Sequence, residues 1–242
     1  MKFSTDVQLE PISHKYFDKD GNEYLSVSKF ISQFTPTFDK DRISAAYAAK
    51  NNLSQKDVLD QWDKKAQAAI NHGNQIHNAL ERYEKTTVIL PEDISLKPMI
   101  LSVASEYSHY YRIYQEQVLF DKEAKIAGTS DKVLQISSSS KSAFDIDDYK
   151  TNLSKGIQFY SDYNKYLLGP LSHLQDCNYN KYSIQLSIYA YMLEKAYNVK
   201  IRSLGIRFIP PHNILAHHRI PVPYMKAEVE AMFQYRINNP KP

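Results

Sequence analysis

Cysteine is almost missing from this chain: Cys177 is the single one in 242 residues. An intrachain disulfide framework is therefore excluded. Long apolar runs are missing too. No stretch approaches the length that spans a bilayer, and the N-terminus lacks the apolar centre of a secretion signal, so the expectation is a cytoplasmic protein with no membrane partner. Nor is there a strong excess of one charge. A net charge of +3 and a pI near 8.6 are compatible with a nucleic-acid partner but do not argue for one unaided. What is present is a 43% hydrophobic composition, enough to bury a core in one domain spanning residues 1–242.

The stretch Ile126 to Asn152 organises the chain. It reads as two strands joined by a hairpin, with apolar residues alternating through Val133 and from Phe144 to Ile146, and a polar Ser137 to Ser142 loop between. Side chains in a strand repeat every two residues, so Asp148 and Lys150 project to one face, and pairing with the first strand can bring Asp131 beside them. Strand alternation sends neighbouring Asp147 the other way. Two carboxylates at a strand end make a hard oxygen site for Mg²⁺ or Mn²⁺, and a lysine beside them can orient or deprotonate a water and offset charge on a phosphate. The chemistry that needs this set is phosphodiester hydrolysis.

Upstream, a hairpin with Asp20-Gly21 at its turn joins His14–Phe17 to Tyr24–Val27. An EF-hand is rejected there, because Gly21 is fourth in the loop rather than sixth. A helical elaboration follows over about 28–85: a short helix from Ser28 to Phe34, a second from about Lys40 to Ala49, and a long third one. Ser54 with Asp57 forms a capping box for that third helix, and Val58, Leu59, Trp62, Ala66, Ala69, Ile70, Gly73, Ile76 and Leu80 form a stripe expected to face a core. In its last turns His77 and Glu81 share a face by their four-residue spacing. A histidine beside an apolar stripe is more often a core residue than a ligand, and the residues alone leave both readings open.

A further helix is expected from Pro98 to Gln115, with Tyr107, Tyr110, Tyr111 and Tyr114 as packing residues or, in the minority reading, base-stacking ones. Glu116 to Phe120 reads as a strand. After Thr151 comes a connection of some thirty residues with Tyr160, Tyr163, Tyr166, Lys155, Lys165 and Lys181, an interleaving suited to stacking bases and tracking phosphates. A zinc half-site from His173 and Cys177 lacks further ligands and is discarded. Tyr182 to Ala196 reads as a helix that puts Gln185 and Tyr189 on one face. Two strands, Ile201–Ile209 and Leu215–Val222, and a helix from Pro223 to Ile237 close the chain. His217 and His218, consecutive on the last strand, are expected to point to opposite faces.

Three patterns in this order carry a resemblance: Gly73-x-x-x-His77-x-x-x-Glu81, then Gly128-Thr129-Ser130-Asp131 with Asp148-Tyr149-Lys150-Thr151, then Gln185-x-x-x-Tyr189. The set is similar to the motifs of the PD-(D/E)XK nucleases in their RecB-like branch, and covers about half the chain. The helical preamble looks more loosely like that of small phage-type and mitochondrial single-stranded-DNA exonucleases. Cys177 alone rules out the four-cysteine iron-sulfur clasp of some RecB-like relatives.

The resemblance implies an α/β fold, a small mixed central sheet flanked by helices around a restriction-endonuclease-like core. It implies a metal-dependent deoxyribonuclease, an exonuclease on single strands or ends that leaves 5′-phosphates. His77, Asp131, Asp148 and the backbone carbonyl of Tyr149 would hold Mg²⁺ or Mn²⁺, with Lys150 positioning the attacking water and Glu81 helping to hold the site. Glu116 is the candidate for a further acid, or else a surface residue. Gln185, Tyr189 and Thr151 would contact DNA, or the first two would brace Lys150. A structure-selective or restriction-like endonuclease and a non-catalytic DNA-binding relative are the alternatives. The partner implied is DNA, with recruiting recombination or replication proteins unidentified, in host cytoplasm if the chain is phage-encoded.

Overall fold

The computed structural model describes residues 1–139, 142–153 and 155–239. It is mixed α/β: an eight-stranded sheet with helices on both faces. Strands β1 (Val7–Glu10), β2 (Lys15–Asp18) and β3 (Glu23–Ser26) form an antiparallel run at one edge. The Asp20-Gly21 turn forms as expected, with Gly21 at φ +82° and Asp18 Oδ1 accepting from the Asp20 and Asn22 amides. β1 carries no alternation long enough to announce it. Its pairing to β2 makes it a strand.

Helix α1 (Val27–Ser32) follows β3 at once, then α2 (Lys40–Asn51) and the 32-residue α3 (Gln55–Thr86). The capping box at the start of α3 is in place: Ser54 Oγ accepts from the Asp57 amide at 3.0 Å. The expected apolar stripe is buried only at its ends, at Val58 and at Ile76, Ala79 and Leu80. Between them Ala66 is exposed and Ile70 is 54% exposed. The reason is geometric. Residues 40–51 cover the first turns, where Tyr47 and Phe38 meet Trp62, the sheet side of α4 takes the last turns, and the middle bridges a cleft.

Helix α4 (Lys97–Tyr107) ends eight residues before the expected Gln115, and β4 (Arg112–Asp121) takes over. Its ladder to β5 (Ile126–Gln135) runs from Arg112↔Gln135 to Asp121↔Ile126, and that pairing overrides the helical spacing of the tyrosines. β6 (Ala143–Lys150) returns antiparallel to β5. Ser140 and Lys141, in the connecting loop, lie outside the described residues. A crossover through the aromatic connection and α5 (Asn178–Tyr197) leads to β7 (Lys200–Phe208), which lies parallel to β6 as such a crossover requires. β8 (His218–Val222) and α6 (Lys226–Asn238) complete the chain. A 3₁₀ turn at Ile214–Ala216 shortens the last strand, so His217 precedes it and packs against Ser102 and Glu106 instead of alternating with His218.

One core packs α1, α5 and α6 on one face of the sheet, and a second packs the end of α3 and α4 on the other. Among the described residues no helix is long and apolar enough to cross a membrane.

What positions the site is a gap along one edge of β5. There β3 pairs only as far as Ala127, and β6 begins at Lys132. Between them α1 and α5 press close on Gly128: a Cβ there would stand 2.7 Å from Val27 Cγ2 and 2.8 Å from the Tyr189 ring. The glycine of one motif is thus the seat for the tyrosine of another. Gly128→Ala should overpack this contact and destabilise by about 1–3 kcal/mol, read as a lowered urea midpoint; an unchanged midpoint would mean that α1 and α5 yield freely.

Candidate functional site

Asp131 sits in the gap, and Tyr149 in β6 turns its backbone N–H toward it rather than toward a strand neighbour. That N–H donates to Asp131 Oδ2 at 2.7 Å. The Tyr149 carbonyl lies 3.2 Å from His77 Nε2, and His77 Nδ1 lies 3.5 Å from Asp131 Oδ2. A carbonyl can only accept, so Nε2 carries the proton of that bond. His77 therefore spans the two oxygens expected to be its fellow ligands.

Asp148 and Lys150 share the α5 face of β6 and form an ion pair with each other. The buried Asp148 Oδ2 is the carboxylate oxygen of that pair. The Lys150 ammonium stands 4.8 Å from the centre of the Tyr182 ring. Asp147 goes to the opposite face, as alternation requires, and pairs there with Arg219 at 2.8 Å and with the Tyr107 hydroxyl at 3.0 Å.

His77, Glu81, Glu116, Asp131, Tyr149, Lys150 and Thr151 line a single cleft beneath the exposed stretch of α3. Thr151 Oγ1 is packed toward Gly73, 3.4 Å from where a Cβ would be, so the first glycine of the helix motif keeps α3 close to the end of β6. Glu81 pairs with Lys85, one turn on. Glu116 holds φ at +46° in mid-strand, in the left-handed region that non-glycine residues avoid, at the position of β4 facing Asp131.

Two expectations need correction. Tyr189 is buried against Gly128, so it cannot reach a polymer, and Gln185 donates to its hydroxyl at 3.2 Å. The α5 residue beside Lys150 is Tyr182, one turn before Gln185, which the motif did not single out. His173 and Cys177 are engaged separately, with Glu228 and the Phe159 carbonyl.

No protein-family model matches the sequence, and none of the curated proteins matches it. Among solved structures, the crystal structure of SSO0001 is similar at 16% identity and a TM-score of 0.37, over 88% of this chain and 74% of that one. A protein of Eubacterium rectale named "Putative exonuclease" is similar at 11% identity and a TM-score of 0.39, over 89% and 78%. Likenesses this distant leave the chemistry to be read from the site itself.

Its electrostatics are one-sided. Burial, and then the charge of Asp148, pushes the Asp131 carboxyl above the usual carboxylate range. Glu116 is pushed up to about 8 by desolvation and then by Asp131, Glu81 and Asp148; the residue as a whole is exposed, so water screens its share of the stability. Lys150 loses charge stability to burial but regains more from Asp148 and Asp131, which hold its ammonium above the ordinary lysine value. Lys150 thus faces Asp148 and Asp131, while Lys85 pairs with Glu81 and acts on Glu116.

This donor set fits a hard divalent cation in its chemistry, with carboxylate and carbonyl oxygens and a surplus of negative charge. The side chains are not gathered into a finished shell: among the described residues no three His, Cys, Asp or Glu groups stand as an assembled metal site.

The pH consequence has a definite sign. A carboxyl whose folded pKa is raised stabilises the fold below its unfolded pKa and loses that stability as pH rises to the folded value. The window here runs from about pH 4, the ordinary carboxylate range, to about 8 for Glu116. Metal-free protein in EDTA should therefore have a lower urea midpoint at pH 8.5 than at pH 5, and Glu116→Gln should reduce that fall. An equal fall in the variant would show that Glu116 does not carry the repulsion.

Proposed function

We propose that this chain is a metal-dependent deoxyribonuclease that hydrolyses phosphodiester bonds as an exonuclease acting on single strands or ends. The observation that supports the reading is the convergence of Asp131, Glu116 and Glu81 on one cleft, whose Lys150 is in an ion pair with the buried Asp148. A polyanionic substrate would be repelled by such a cleft unless a cation came with it. In this reading His77, Asp131, Asp148 and the Tyr149 carbonyl hold Mg²⁺ or Mn²⁺. The ion, once bound, supplies Lewis acidity at the phosphate and a more acidic water.

The chain's own residues do the rest. Lys150 keeps its proton, so it orients a water or a phosphate oxygen by donating to it rather than acting as a base. Asp148 holds that ammonium in place, and the Tyr182 ring shields its other side. Thr151, at the cleft wall, is placed to meet the next phosphate along the strand. Products would carry 5′-phosphates.

Substrate choice rests on the exposed aromatic surface. Ile70 of α3 lines the cleft, and elsewhere the connection after β6 presents Tyr160 and Tyr163, exposed at 78% and 81%. A groove of about 470 Å³ runs between Phe38 and Ile43 on one wall and Tyr160, Tyr163, Lys165 and Lys181 on the other. Exposed rings interleaved with lysines stack bases without regard to sequence. In this reading a flexible single strand follows the groove to the cleft, and such threading would require a free end.

Asp148→Asn and Lys150→Ala should each lower the cleavage of linear single-stranded DNA by roughly 10²–10³-fold or more, with folding intact by circular dichroism; near-parental turnover in either would refute the nuclease reading. The threading reading has its own measurement. One sequence is compared as a linear strand and as a ligated circle, at equal concentration with Mn²⁺. The linear form should disappear while the circle persists, and equal rates would replace the exonuclease by an endonuclease.

A further inference from the structure

Behind the site, on the opposite face of the sheet, lies an ion pair that the proposed chemistry does not use. Lys132, next in sequence to Asp131, is 1% exposed, and its ammonium pairs with Glu84 of α3, whose side chain is 8% exposed. Desolvating two charges costs about as much as their attraction returns, so a buried pair adds little to stability over an apolar one. Its value lies in what it orients. Glu84 also accepts from the Tyr149 hydroxyl at 3.3 Å, and the Lys132 ammonium stands 5.4 Å from the centre of the Tyr149 ring and 4.8 Å from that of Tyr107.

These contacts close a circuit. Asp131 and Lys132 are neighbours on β5; Lys132 holds Glu84; Glu84 holds the Tyr149 phenol; the Tyr149 peptide N–H returns to Asp131. Glu84 lies seven residues after His77, two helical turns along the same face. His77 in turn meets the Tyr149 carbonyl and packs edge-on against its ring, 5.5 Å between centres. The pair thus ties the rotation of α3 and the tilt of the Tyr149 peptide to β5.

We infer that Lys132 and Glu84 are positioning residues: through the Tyr149 phenol they hold the Asp131 carboxylate, the Tyr149 carbonyl and the His77 ring together at one end of the cleft, where a divalent cation would bind. The consequence for metal rests on the function proposed above, but the brace itself does not.

Two variants separate positioning from bulk stability. Tyr149→Phe removes only the phenol bond. Lys132→Met combined with Glu84→Gln removes both charges and leaves no unpaired buried ion. In metal-free protein the amide of Tyr149 should exchange with solvent at least fivefold faster in both, by NMR, while the amides of residues 184–193 keep their parental rates. The dissociation constant for Mn²⁺, by titration calorimetry, should rise at least fivefold in both.

A purely structural pair would lower the thermal midpoint and leave Mn²⁺ affinity within twofold of the parent, and that result overturns the proposal. Unchanged exchange at Tyr149 overturns it as well. If the parent itself binds no Mn²⁺, the metal reading of the cleft fails, and the exchange comparison alone then decides the brace: faster exchange sustains it and parental exchange removes it.

Discussion

The Tyr149 amide donates to a carboxylate, not to a strand, and the form of the cleft follows from that bond. A backbone N–H buried beside a sheet must find an acceptor. β5 and β6 pair from Gln135↔Phe144 to Lys132↔Asp147 and then part, which leaves Tyr149 without a carbonyl opposite. Asp131 fills that role with its side chain. The carboxylate is thereby fixed at the fork, Asp148 and Lys150 lie on the α5 face of the departing strand, and the Tyr149 carbonyl is turned out toward His77.

The long helix α3 answers the same fork from above. Its two ends are anchored, by α2 at Trp62 and by the α4 core at Ile76, Ala79 and Leu80. Gly73 lets it descend onto Thr151, and one turn later His77 reaches the fork. The exposed Ile70 is therefore a consequence of the bridge. A helix that had buried its whole stripe would have sealed the cleft it spans.

Much of this is legible in sequence because it depends on short-range periodicity. The shared face of Asp148 and Lys150 and the opposite face of Asp147 follow from a period of two, and the Ser54 cap and the His77 and Glu81 pairing from helical spacing. The mixed α/β architecture is what the resemblance carried by those motifs implies, and the sheet with helices on both faces agrees with it. What could not be read is what depends on partners distant in the chain. Tyr107 and Tyr110 keep helical spacing, yet their hydroxyls answer to Asp147 and Asp145, and the helix ends at Tyr107, ahead of the ladder that pairs Arg112 onward with β5. Tyr189 is hidden because Gly128 makes room for it. Lys132 carries no signal beyond its alternation with Asp131, and Glu84 none beyond its seven-residue spacing from His77. The left-handed turn at Glu116 has no glycine to mark it.

Strand β6 also shows why the acids of the cleft stand apart from the other acids of the sheet. Its back face carries Asp145 and Asp147, and each has an arginine and a tyrosine hydroxyl of its own: Arg202 with Tyr110, and Arg219 with Tyr107. Those charges are satisfied within the fold. On the other face and across the fork, Asp131 and Asp148 share Lys150, and Glu116 adds a third carboxylate beside them. Burial raises Asp131 and Glu116 above the ordinary carboxylate range, as it does Asp147, but each of these two cleft acids is also raised by its acidic neighbours. The same chain that places a cation against each structural acid leaves the cleft short of them. Arginines at those positions would neutralise the repulsion and stabilise the fold, but they would also fill the space and charge that a divalent ion needs. The imbalance is local, confined to one face of one strand pair, and it is the feature by which this cleft differs chemically from the buried polar layer a few ångströms behind it.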